Sequence, residues 1–404
     1  MIKKSLTDLE PARLEGRTVL VRADLNVPLD DDDVSDDQRI RASLPTLRIL
    51  CDAGAKVVLL SHLGRPKGRA QPEFSLAPVA RRLGDLLEYP VRFVGETHGE
   101  AVAHAVADTA MGQVVLLENT RFHPGETEND PELSASWADL GDIFVNDAFG
   151  TAHRAHASTA GLAQAMRSRG HEAVAGILMA RELRYLEGVL RMPERPFLAI
   201  IGGAKISTKI GVISALLPLV DRLLIGGAMA NTFFRALGLD TGESLVEEDA
   251  IDLARELVEE GGETIVLPVD CVVAPEVHEG APARIVDRDA VKGVDKIVDI
   301  GPRTRSRFAD MIGEARVIFW NGPMGVFEMA PFAQGTISVA EAVADACDSG
   351  AMGVLGGGDS AAAAQQAGVA HRLTHVSTGG GASLELIAGA ELPGVASLSG
   401  VENE

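Results

Sequence analysis

The chain has 404 residues, 46% of them hydrophobic, which is enough to bury large cores and suggests two or three domains. Its 37 basic and 58 acidic residues give a formal charge of −21. That balance argues against nonspecific nucleic-acid binding and against acidic membranes, since both need a basic face. With eight lysines against 29 arginines, the acidity suits a protein kept soluble in a salty cytoplasm.

The start, Met1 to Asp8, lacks the apolar core of a signal peptide, and no uninterrupted apolar run reaches membrane-spanning length. Cys51, Cys271 and Cys347 are odd in number and show no paired spacing. They read as reduced thiols of a cytosolic protein, so a soluble, cytoplasmic monomer is the expectation.

Apolar runs at Val19–Val21, Val57–Leu60, Val91–Val94, Val114–Leu117 and Ile143–Val145 read as strands separated by helical patterns. Alternation of this kind predicts a parallel sheet with helices on both faces, where ligands gather beyond the carboxyl ends of the strands. The residues just after these runs are polar. They are Arg22 to Pro28, Ser61 to Gly68, Glu118 to Phe122 and Asn146 to His156, with Arg39 and Arg41 between the first two strands. One arginine after a strand is most simply a surface ion pair of little energetic weight. Several on one rim of an acidic protein would make an anion trap, because guanidinium groups grip carboxylate and phosphate oxygens in pairs. His62, His153 and His156 lack a partnering metal-ligand pattern, and His62 and His153 read as hydrogen-bonding residues of the site or core. The Asp30–Asp37 run reads as a solvated loop, since it lacks the glycine and closing glutamate of an EF-hand.

From Glu172 to Leu190, apolar residues recur at helical spacing, and the segment from Met192 to Pro196 breaks the pattern. One long helix is therefore expected to link two halves. Further strands are expected at Phe197–Ile201, Arg222–Ile225, Thr264–Leu267, Arg316–Trp320, Met352–Leu355 and Thr374–Ser377. Glycines follow most of them: Gly202-Gly203, Gly226-Gly227, Gly322 after Asn321, Gly356 to Gly358, and Gly379 to Gly381. Such turns let backbone come close to a ligand and offer donors to a nucleotide. After Gly203 a helix is expected to begin at Ala204, with Lys205 and Lys209 on one face. Asp359 could hold Mg²⁺, and Glu328 could accept from ribose hydroxyls. The stretch is not the G-x-x-x-x-G-K-[ST] phosphate loop. Gly356-x-Gly358-x-x-Ala361 formally matches a dinucleotide fingerprint. No acidic residue follows at the end of the next strand to bind a ribose, so NAD is rejected.

Seven stretches together, Arg22–Pro28, Ser61–Gly68, Asn146–His156, Gly202–Lys209, Trp320–Glu328, Gly356–Asp359 and Ser377–Ser383, closely resemble the phosphoglycerate kinase family. The likeness runs from about residue 6 to about residue 396 with the motifs in order. It implies an α/β fold of two doubly wound parallel-sheet (Rossmann-like) domains joined by a long helix. The N-terminal domain, 1–172, would bind 3-phosphoglycerate; 173–192 would be the connecting helix, 193–387 the nucleotide domain, and 388–404 a return to the first domain. The activity implied is reversible phosphoryl transfer between 1,3-bisphosphoglycerate and MgADP, giving 3-phosphoglycerate and MgATP, with domain closure.

By the same resemblance Asp24 and Asn26 hold the glycerate end, and Arg65, Arg121 and Arg154 grip the non-reacting phosphate beside His62, Leu63 and Gly64. Arg39 faces the transferring group, which Lys205 and the backbone of Gly379, Gly380 and Gly381 meet from the other half. Lys209, Gly203, Gly226, Gly227, Asn321, Glu328, Gly357, Gly358 and Ser360 serve the nucleotide, and Asp359 the metal. Ser360 stands where many members have threonine. The acceptor is a carboxylate already ionised at neutral pH, so no general base is expected.

Overall fold

The computed structural model describes residues 3–191 and 193–401. The chain divides into two compact units, Met1–Arg184 with Glu391–Glu404, and Tyr185–Ala390. Met192, part of the expected helix stop, lies outside the described residues.

The first unit is built on six parallel strands in the order Val91–Val94, Val114–Leu117, Lys56–Leu60, Thr18–Arg22, Ile143–Asn146, Glu172–Ala175. The central strands read as continuous Val/Leu/Ile runs because such a sheet is covered on both faces. Val19, Val21, Val57 and Leu59 pack with Leu47, Leu50 and Leu83 from flanking helices in one core. Each such side chain, fully buried, stabilises by about 1.5–3 kcal/mol. Arg22 is level with Leu60 on one side and with Asn146 on the other. The segments that follow therefore emerge at one rim, at the point where strand order reverses.

The expected helix over 172–190 is shorter. Glu172–Ala175 is a sheet strand beside Ile143–Asn146, and the helix is Ile177–Arg191. The break falls at Gly176, where a Cβ would overlap the Asp147 carboxylate. The new helix is started from outside its own sequence. The Ile177 N–H donates to Thr46 Oγ1 at 2.9 Å, and the Met179 N–H to Asp147 Oδ1 at 3.1 Å. Those contacts supply acceptors for N–H groups that no helix can satisfy by itself. Thr46 belongs to Gln38–Asp52, the helix that also carries Arg39.

After Ala390 the chain rejoins this unit. The Gly394 N–H donates to the Ala152 carbonyl (2.9 Å), and Asn146 Nδ2 donates to the Gly394 carbonyl (3.0 Å). The acidic run is not featureless loop. Leu29–Asp30 and Asp33–Val34 form a small antiparallel hairpin, and Asp37 pairs with both Arg41 and Arg82.

The second unit holds six parallel strands ordered Ile265–Val266, Arg222–Ile225, Phe197–Ile201, Val317–Asn321, Met352–Gly356, His375–Val376. Ile201 is level with Ile225 and Asn321, and Asn321 with Gly356, so four glycine turns leave the sheet side by side. A three-stranded antiparallel sheet, Arg284–Asp287, Asp270–Ala274, Lys296–Ile300, is an element the sequence pattern did not suggest. Its edge strand Arg284–Asp287 is mostly exposed and carries a charge at each end, so no apolar run marks it. The three cysteines are free thiols. No helix among the described residues is long and apolar enough to cross a membrane.

Candidate active site

The strand-end segments of the first unit bring their charged groups to one place. Arg22 is completely buried; its Nε donates to Ser158 Oγ (2.8 Å), and its Nη2 meets His62 Nδ1 at 3.0 Å. Arginine only donates, so His62 accepts at Nδ1 and carries its proton on Nε2. Burial first, then Arg22, Arg121 and Arg39, push His62 well below its ordinary 6.5, so it is neutral at pH 7. The Ser158 hydroxyl donates to the fully buried Glu126 at 2.6 Å, and the Ser158 N–H donates to the same carboxylate at 2.9 Å. A buried countercharge thus lies beneath a row of cations.

Above it, Arg39 Nη1 donates to Asp24 Oδ2 at 2.8 Å, Asn26 Oδ1 accepts from the Gly64 N–H at 2.8 Å, and Arg121 Nη1 donates to the Gly64 carbonyl at 2.8 Å. Gly64 needs its positive φ of 61° to turn both its N–H and its carbonyl into these contacts. Leu63 beside it is buried. Burial and the neighbouring Arg22 pull the Arg121 guanidinium down to about 10, still charged at neutral pH.

Arg65, Arg121 and Arg154 line one cleft of about 400 Å³ together with Lys67 and Glu128. Two buried polar atoms at this rim, Asp24 Oδ1 and Arg121 Nε, have no hydrogen-bond partner in the structure. Buried groups of that kind are rarely left without one, and a bound polar ligand would supply it. Lys67, Glu126 and Ser158 were not among the site residues expected from sequence. Lys67 stands inside a motif that drew notice, whereas nothing local marks a glutamate 32 residues from its serine.

In the second unit four glycine N–H groups bond to neighbouring backbone. The N–H of Gly202 donates to Asn321 O (2.8 Å), that of Gly203 to Pro323 O (3.0 Å), that of Gly226 to Ile201 O (3.0 Å) and that of Gly227 to Met324 O (3.0 Å). These donors are engaged inside the protein. Glycine is required because the turns pack backbone against backbone: a Cβ on Gly202 would overlap the Pro323 carbonyl, and one on Gly227 would lie 2.6 Å from Gly203 N.

The helix expected from Ala204 begins instead at Ile210, so Lys205 and Lys209 do not share a helix face. The intervening Ile206-Ser207-Thr208 has weak helix formers, and its polar groups are used elsewhere. Glu247 takes both the N–H and the hydroxyl of Ser207, and Thr208 Oγ1 donates to the Lys205 carbonyl. Lys205 is left exposed, while Lys209 turns in and donates to Asn321 Oδ1. Burial lowers the Lys209 amine and Asp359 opposes that shift, which puts the two charges in mutual reach.

Ser360 is fully buried and its Oγ accepts from the Gly322 N–H at 2.6 Å. Gly357, with φ 94°, precedes the helix Gly358–Gln366, and Asp359 stands exposed in that helix's first turn. Gly380, with φ 49°, precedes the helix Gly381–Ile387, while the Gly379 N–H is taken by Ser377 Oγ at 3.1 Å.

A cavity of about 320 Å³ opens beside these turns. Glu328 and Asp359 stand on it with Gly203 and Gly227, and Phe234, Val298, Ile300, Met324 and Val326 make it largely apolar. A flat apolar slot with a few polar groups at one end is what a nucleoside needs. Asp299, also on its lining, was missed from sequence; burial pushes its carboxyl up to about 7.

The family model described as phosphoglycerate kinase matches residues 7–390. The chain belongs to the phosphoglycerate kinase family. It is 54% identical to the phosphoglycerate kinase of Rubrobacter xylanophilus over 98% of both chains, and 53% identical to that of Chloroflexus aurantiacus over 100% of both. Among solved structures, the phosphoglycerate kinase of Coxiella burnetii superposes with a TM-score of 0.87 at 41% identity, and that of Pyrococcus horikoshii with 0.84 at 34%, each covering 98% of both chains. The expected fold class, two parallel-sheet α/β domains, is that of these phosphoglycerate kinase structures.

Proposed function

We propose that this protein catalyses reversible phosphoryl transfer between 1,3-bisphosphoglycerate and MgADP, giving 3-phosphoglycerate and MgATP. The observation that carries this reading is the cleft of Arg65, Arg121 and Arg154, in a chain that matches the phosphoglycerate kinase family almost end to end. The first unit binds the triose acid: Asp24 and Asn26 take the glycerate end, the three arginines take the non-reacting phosphate, and neutral His62 orients Arg22. The second unit binds the nucleotide, with the base in the apolar cavity, the ribose at Glu328, and the phosphates at Lys209 and the helix after Gly357.

Asp359 suits Mg²⁺, because that ion takes one or two carboxylates and completes its shell with phosphate oxygens and water. When bound, Mg²⁺ neutralises charge on the phosphate oxygens. Arg39 from one unit, and Lys205 with the backbone of Gly379 to Gly381 from the other, hold the migrating group in line. The carboxylate acceptor needs no base, so alignment and charge neutralisation make up the chemistry.

Because the two anion sites belong to different units, transfer requires the units to come together around both substrates, which also excludes water that would hydrolyse the acyl phosphate. The small substrates and the −21 charge support a cytoplasmic monomer that binds neither nucleic acid nor membrane. A coupled assay following ATP formation from 1,3-bisphosphoglycerate and MgADP decides the matter. Purified folded protein that forms no ATP in this assay would sink the reading.

A further inference from the structure

Three walls of the apolar cavity in the second unit meet at one buried carboxylate. Asp299 lies on the strand Lys296–Ile300, is 2% exposed, and stands on the cavity lining with Val298, Ile300, Met324, Gly325 and Val326. Its Oδ2 accepts from the Gly335 N–H at 2.6 Å and its Oδ1 from the Ile300 N–H at 2.9 Å. Gly335 is in the first turn of the helix Gln334–Asp348, whose cap position is Ala333, a residue with no side-chain acceptor. Asp299 therefore does from another element what a capping serine or aspartate does locally.

The same helix turn holds the glycine loop. Thr336 Oγ1 accepts from the Met324 N–H at 3.0 Å, and the Val326 N–H donates to the Val298 carbonyl at 2.9 Å. Gly325 and Gly335 are both cut to fit the carboxylate, since a Cβ on either would overlap Asp299 Oδ1. A buried carboxylate costs more to desolvate than an apolar side chain of its size, so stability alone would favour Leu or Val here.

We propose that Asp299 is a positioning residue for nucleotide binding, which fixes the strand, the glycine loop and the helix start as the walls of the base slot. This rests on assigning that cavity to the nucleotide. Asp299 touches neither the phosphates nor the triose acid, so its removal loosens one substrate only.

The test is ADP and 3-phosphoglycerate affinity by calorimetry, alongside kcat and both KM values, for the wild type and for D299A, G335A and D299A/G335A. D299A is expected to weaken ADP binding about tenfold, because the hydrogen bond that ties the strand to the helix start is lost along with the one to Ile300. It should raise the nucleotide KM alike and leave kcat and the 3-phosphoglycerate constants unchanged. G335A should do the same with Asp299 still present. It is the fallback if D299A does not fold, since alanine is the better helix former. The double variant should lose less than the product of the two single losses, because the overlap with Asp299 is gone while that with Ile300 Cγ1 remains. Unchanged ADP affinity, losses that multiply in the double variant, or equal losses for both substrates would each overturn the assignment. Wild type that binds ADP but forms no ATP would overturn the proposed reaction and leave this one to be judged on affinity.

Discussion

In the proposed function the two rims share one task, holding a polyanion beyond the ends of parallel strands, and they use different parts of the polypeptide. The first uses side chains: Arg39, Arg65, Arg121 and Arg154 stand over a buried Arg22–Ser158–Glu126 chain that supplies countercharge from below. The second uses main chain. Gly202, Gly203, Gly226 and Gly227 are stitched to one another and to the 321–324 loop, and two lysines supply most of the positive charge beside them. A rim of arginines can lose one member and remain folded, because each long side chain leaves from its own turn. A rim of interlocked backbone has no spare space, so a single methyl group is felt by its neighbours.

The largest effect expected is on chemistry. Lys205 is exposed and has no structural burden, so Lys205→Ala should lower kcat by about 3–4 kcal/mol of barrier while ADP affinity holds. Unchanged turnover in stopped-flow would remove Lys205 from the transfer step. Next comes the arginine cleft. Arg154→Ala should weaken 3-phosphoglycerate by about 1.5–3 kcal/mol, the range for charge-assisted hydrogen bonds, with ADP affinity intact. A calorimetric titration that showed both ligands weakened would blur the separation between the rims.

Gly202→Ala tests the opposite rim. Overlap with the Pro323 carbonyl should destabilise the second unit by about 1–3 kcal/mol and weaken ADP, yet leave 3-phosphoglycerate affinity alone. Differential scanning calorimetry with each ligand in turn reads both. A variant as stable as the parent would show that the backbone there has room.

The last expected effect is in pH. Burial pushes Asp147, at the start of the connecting helix, from the ordinary 3.8 up to about 6. The folded first unit then binds this proton more tightly than the unfolded chain, so its contribution to stability is present at low pH and lost as pH rises from about 4 through about 6. Asp147→Asn has no proton to lose and should gain on the wild type across that window. Denaturation midpoints for the two proteins that run parallel between pH 4 and pH 7 would remove the assignment.

Strand positions were legible because sheets covered on both faces demand unbroken Val, Ile and Leu. Phe197–Ile201, Arg222–Ile225, Val91–Val94 and Val114–Leu117 match residue for residue. The strand Glu172–Ala175 was hidden, since Ala and Val at that spacing serve a helix as well as a sheet edge. The helix over 204–209 failed because Glu247, about 40 residues on, captures Ser207. The expected arginines of the cleft do converge, but the carboxylate beneath them was invisible, as was Asp299, because each owes its place to partners far along the chain.

The order of runs and turns by itself determined two parallel sheets, a glycine turn at nearly every strand end of the second, and membership in one family. Those features come from local requirements: apolar continuity for a strand covered on both sides, and no side chain where two turns touch. Only the tertiary structure decided which N–H groups are already engaged, which lysine turns inward, and which acids sit beneath the charges. Such choices depend on pairings across 112 residues for Lys209 with Asn321 and 36 for Asp299 with Gly335, and no periodicity in the sequence encodes a contact at those distances.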